Sequence, residues 1–153
     1  MYLEKFSARL KELMELEGVS NRALAIKIKA DRKGVRLWLS GKYFPRYDFL
    51  IALGDYFKVS IDYLVGLEDM PGGFARDMRD KGELAGLRRQ LSDVMRGYME
   101  KHGLSKYQMG KLLFVDVKSV KGILDEYSIP ETGTLIKISQ LTKVTMNELL
   151  RCG

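Results

Sequence analysis

The chain has 153 residues, 46% hydrophobic and 30% charged, enough for one ordinary globular domain or two small ones and too apolar for a disordered chain. A total of 26 Lys and Arg against 20 Asp and Glu gives a formal charge of +6, which favours a polyanionic partner. A single cysteine, Cys152, excludes a disulfide framework and a cysteine-built metal site, and no apolar run approaches the roughly 18 residues of a membrane-spanning helix, so a cytoplasmic protein without signal peptide, membrane contact, metal or cofactor is expected.

The first helix is expected where Leu3, Phe6, Leu10, Leu13 and Met14 recur at three- and four-residue steps, with Gly18 as its C-terminal cap. Ser20 is placed to open a second helix, which ends in a tight turn at Lys29 and Ala30. Asp31 caps a third helix, on which Val35, Trp38 and Leu39 share one face and Arg32, Lys33 and Arg36 the other. A fourth helix follows Pro45 and carries Phe49, Leu50, Leu53 and Phe57, and Ser60 opens a fifth. The stretch EDMPGGFARDMRDKGE, from Glu68 to Glu83, has linker composition and is expected to be flexible near Pro71 to Gly73. Beyond it, Leu84, Leu87, Leu91, Val94, Met95 and Tyr98 form a helical stripe, read as an N-terminal extension of the next helix that needs something to pack against.

Shifting the chain by 85 residues lays the second half over the first without a gap. Gly18 meets Gly103, Ser20 meets Ser105, Asp31 meets Asp116 and Pro45 meets Pro130; Val35, Leu39, Leu50, Val59 and Leu64 meet Val120, Leu124, Leu135, Val144 and Leu149. One unit is used twice. In the second copy, Ser105 with Gln108 and Thr145 with Glu148 form capping-box pairs, and Phe114 and Val115 make the turn. The expected fold is all-α: two five-helix units at 1–67 and 84–153, joined by a linker at 68–83.

In these residues the chain resembles the lambda-repressor-like (XRE, Cro-type) helix-turn-helix family. The matching run comprises Leu24 and Ala25, Val35 and Trp38, Gly41 and the closing VSIDYLVG from Val59 to Gly66, and it repeats more weakly in the second unit. The family usually has Gly in the turn, where this chain has Lys29 and Phe114; a non-Gly residue at positive φ costs on the order of 1 kcal/mol. It often has Gln at the start of the second helix, where Asn21 and Lys106 stand here, so no particular base contact transfers. Ile123 replaces the Trp of the second unit and Glu126 its Gly, while Gly34 weakens the third helix but leaves room for close backbone approach.

The resemblance implies a sequence-specific, DNA-binding transcriptional regulator, bacterial or from a phage, a repressor rather than an activator. Arg32, Lys33 and Arg36 would reach base edges in the major groove, and Asn21, Arg22, Lys29, Lys42 and Arg46 would hold phosphate. From Ser20 to Arg46 there are eight basic residues against one acid, whereas Ser105 to Glu131 has four of each. The first unit is therefore expected to bind DNA, and Lys106, Lys118 and Lys121 mark a second, weaker candidate site. Trp38 is read as core, and Tyr43, Phe44 and Tyr47 as packed with some exposure. Lone His102, in a last helical turn, and terminal Cys152 make no nucleophile-base pair, and no domain for self-cleavage is expected, so no enzyme is foreseen.

Two geometries follow. Both units of one chain occupy adjacent half-sites through a linker spanning roughly 20 Å, or the second unit, with Leu84, Leu87 and Leu91, pairs two chains so that two first units read a palindrome about 34 Å apart. The second is preferred. The alternative function is a protein-interaction adaptor of antitoxin or antirepressor type.

Overall fold

The computed structural model of the chain describes residues 2–71 and 84–151. Among these are ten helices and no strand. The chain divides into two compact units, Met1–Arg76 and Asp77–Gly153. Of the stretch expected as a linker only residues 68–71 are described, and Gly72, Gly73 and Cys152 lie outside the described residues.

The first unit comprises α1 (Tyr2–Glu17), α2 (Asn21–Ile28), α3 (Arg32–Leu39), α4 (Tyr47–Phe57) and α5 (Ile61–Leu64). Phe6, Leu10 and Met14 recur every four residues along α1 and are buried where it meets α3 and α5. Leu24, Val35, Trp38, Leu50, Leu53, Ile61 and Leu64 complete the core. Capping fixes where each helix starts. The Ser20 side chain accepts from the Ala23 amide at 3.1 Å, Asp31 from Gly34 at 2.6 Å and Ser60 from Tyr63 at 3.0 Å.

The second unit comprises α6 (Leu84–His102), α7 (Lys106–Leu113), α8 (Val117–Leu124), α9 (Thr132–Thr142) and α10 (Met146–Arg151). Its core is built at the matching positions, with Leu91, Met95 and Met99 standing for Phe6, Leu10 and Met14. Ser105 and Gln108 form the complete capping box, and Asp116 and Thr145 accept from Ser119 and Glu148 at 2.8 and 3.0 Å.

The repetition extends to details that hydrophobic pattern does not dictate. The Ser7 hydroxyl donates to the Leu39 carbonyl at 2.7 Å, and 85 residues on Ser92 donates to Leu124 at the same distance. Each of these bonds satisfies a carbonyl left over at the end of a helix and ties it to the unit's first helix. Left-handed backbone recurs pairwise as well: Gly18 (φ 65°) with Gly103 (62°), Lys29 (60°) with Phe114 (58°), Gly41 (79°) with Glu126 (63°) and Lys58 (57°) with Lys143 (62°). The turn keeps the geometry a Gly would adopt even though neither copy has Gly there. Ala30 and Val115 seal it by donating to the carbonyls of Ala25 and Gly110, both at 2.9 Å. Replacing Lys29 with Gly should accordingly stabilise the first unit by about 0.5–1 kcal/mol in a denaturant titration. A loss of stability would mean that the lysine stem holds the turn.

One expectation is corrected. Leu87 and Leu91 do not form a free stripe for a second chain, because they are 3% and 0% exposed and belong to the core of their own unit. In the repeat they stand where Tyr2 and Phe6 stand, so the stripe is the ordinary inner face of a first helix, packed on α8, α9 and α10. Only Leu84 to Gly86 precede the part matched by α1, and the Leu84 side chain lies outside the described residues.

Candidate nucleic-acid interface

The outer face of the first unit is set by α3. Val35 and Trp38 point inward, 0% and 6% exposed, with Trp38 tilted against Phe49 at 5.4 Å between ring centres. A helix that buries those positions must turn the sector of residues 32, 33 and 36 outward, and Arg32, Lys33 and Arg36 are all exposed. Asp31 caps the helix through its side chain, and it is the one acid between Ser20 and Arg46.

The residues expected at phosphate lie around this helix. Asn21 is the first residue of α2, half-buried, and borders a hollow with Ser20, Met14 and Leu39; Arg22 beside it is exposed. Lys42 is exposed just past the end of α3. Lys29 is exposed at the left-handed turn after α2. Arg46 precedes α4, exposed, but is already engaged: it pairs with Asp48 at 2.9 Å and lies over the Phe49 ring at 5.6 Å. Among the described residues, it alone of these cations has a carboxylate partner. The packing of α2 and α3 thus leaves Arg32, Lys33 and Arg36 together on the outside of α3, with Asn21 and Arg22 at the start of α2 and Lys42 just past the end of α3.

Not all of the positive charge faces outward. Arg9 of α1 donates to the carbonyls of Tyr63 and Glu68, pairs with Asp69 at 3.3 Å and stacks over the Tyr63 ring at 4.3 Å, which fastens the end of the first unit. Tyr43 is 57% exposed beside Lys42, whereas Phe44 turns inward against Phe6 at 5.7 Å. Ile26 and Leu37 are exposed on α2 and α3, apolar surface that charge counting missed.

The second candidate face differs. Lys106, Lys118 and Lys121 are exposed on α7 and α8 as expected. They share the surface with Asp116, Asp125, Glu126 and Glu131, all exposed, three of which replace Ser40, Gly41 and Arg46 of the first unit. The carboxyl of Asp116 is held below its ordinary value by the hydrogen bonds it accepts from Ser119, with a smaller pull from Lys118. A carboxylate whose pKa is lowered by folding contributes stability fully above its unfolded value and loses it as pH falls through the folded one. The stability difference between the native chain and an Asp116→Asn variant should therefore be constant above pH 3.8 and shrink below it. A difference that grows on acidification would contradict the cap.

His102 closes α6 with its ring 4.4 Å from that of Tyr98, in the last turn where a cation suits the helix dipole. Among the described residues no cluster of His, Cys, Asp or Glu is arranged to hold a metal, and no helix is long and apolar enough to cross a membrane. Comparison with protein-family models, with curated proteins and with solved structures finds no match to this chain.

Proposed function

We propose that the protein is a sequence-specific DNA-binding transcriptional regulator, a repressor, that reads the major groove with α3 of its first unit. The observation that supports this reading is the outward cluster of Arg32, Lys33 and Arg36 on a short helix whose opposite side is locked in the core. A helix of this width fits the groove, where Arg and Lys donate to guanine O6 and N7, and α2 crosses the phosphate backbone with Asn21 and Arg22 at its start. Lys42 flanks the helix on its far end and gives a positioning contact. Because Arg46 must give up or share Asp48, it contributes less than an unpaired cation.

The reading is tested by titrating duplex DNA with the full chain at several salt concentrations. Each phosphate neutralised adds about −0.9 to the slope of log K against log salt, so four or five contacts require a slope near −4. A slope near zero, or no binding at low salt, removes the proposal.

A further inference from the structure

The second unit exposes five large apolar side chains in its helix-turn-helix: Tyr107, Leu112, Phe114, Val117 and Tyr127, at 59%, 42%, 80%, 42% and 76%. In the repeat they fall on Arg22, Lys27, Lys29, Arg32 and Lys42. Every one of them stands where the first unit carries a cation. The same backbone therefore presents two opposite surfaces, and the exchange of charge for apolar area is confined to the outside, since the cores match.

We propose that this face of the second unit binds a second copy of the chain. Tyr107 and Phe114 lie on one line of α7 and its turn, two helical turns apart, and Val117 opens α8 just beyond. Tyr127 borders a groove of about 580 Å³ along α8 with Lys118, Lys121 and Asp125. Three aromatic side chains that are 59–80% exposed offer about 300–550 Å² for burial, and Val117 with the surrounding charged rim supplies the rest of the roughly 800 Å² per partner of a specific interface.

Charge selects the occupant. Four lysines and four acids are interleaved from Ser105 to Glu131, so the face has no net preference for a polyanion, and Glu126 and Glu131 repel phosphate where Gly41 and Arg46 stand in the first unit. Along α8 the charges run Asp116 at the N-cap, Lys118 in the first turn, Lys121 in the last, and Asp125 and Glu126 just past it. An antiparallel α8 from a two-fold-related copy sets Lys118 opposite the partner's acids, twice, as an isologous interface requires. The lysines also cover the rings, Lys111 over Tyr107 at 4.8 Å and Lys137 over Phe114 at 4.0 Å, which holds those rings in place for a partner.

The repeat supplies its own test. Tyr107→Arg, Phe114→Lys, Val117→Arg and Tyr127→Lys place in the second unit the side chains that the first unit tolerates on the same backbone. Sedimentation of the full chain without DNA should give a dimer in the micromolar range, and the fourfold variant should raise the dimer dissociation constant by about 100-fold or more while its thermal transition stays in place. A native chain that remains monomeric at about 100 µM overturns the proposal, and so does a folded variant that still dimerises. If the fourfold variant fails to melt cooperatively, the single Phe114→Lys is read in the same way. The inference does not depend on the first unit binding DNA, so the two proposals fail separately.

Discussion

Replacing Arg32 with Ala should weaken binding to the preferred DNA sequence by about 1–3 kcal/mol and bring preferred and unrelated duplexes closer together, because a base-edge contact carries discrimination. Lys42→Ala should instead weaken all duplexes alike and make the salt slope shallower by about one. Both residues are exposed, and neither is needed for packing, so the variants should melt like the native chain. The contrast is what matters. If Arg32→Ala and Lys42→Ala have the same effect on every duplex, α3 does not lie in the groove as described.

The largest expected effect on stability is that of Phe6→Ala. Phe6 is 0% exposed, packed against Phe44, and it sits on the line of α1 that meets α3 and α5. Truncating a buried aromatic ring costs about 3–5 kcal/mol, a large part of the roughly 5–15 kcal/mol that holds a typical domain together. Trp38 gives the readout, since it is the sole tryptophan of the chain and lies 6% exposed in the first unit. Its fluorescence in a denaturant titration should show the transition moved to markedly lower denaturant. A shift worth less than about 1 kcal/mol would mean that the site refills, contrary to a tightly packed core. DNA binding should be lost at the same lowered denaturant concentration, because α3 keeps its basic face outward only while Val35 and Trp38 remain anchored.

Much of this architecture is legible from local chemistry. Ser20, Asp31, Ser60, Ser105 and Asp116 mark helix starts because a short oxygen-bearing side chain can satisfy an amide two or three residues on, wherever the helix lies in the fold. The outward position of Arg32, Lys33 and Arg36 follows from the same economy, since Val35 and Trp38 leave them no other side. The left-handed turns at Lys29 and Phe114 are less legible, because neither residue favours that backbone; tight closure by Ala30 and Val115 imposes it.

Spacing alone leaves open what the Leu87 and Leu91 stripe packs against. Helical spacing tells which residues share a face, but not whether the face meets its own unit or another chain. Setting Leu91 beside Phe6 in the repeat resolves it. The repeat also sets Tyr107, Phe114, Val117 and Tyr127 at the places of cations, an exchange that a net charge does not express. Ser7 and Ser92 left a similar trace, two serines in register, whose role appears only once α1 and α6 are seen against the ends of α3 and α8.

The most direct test of the account is selection of the purified full chain against random duplex DNA, followed by sequencing of the bound pool. The account predicts an enriched motif that disappears when Arg32 is replaced, arranged as an inverted repeat if two chains pair through their second units. A bound pool no different from the starting pool would contradict sequence-specific recognition by α3.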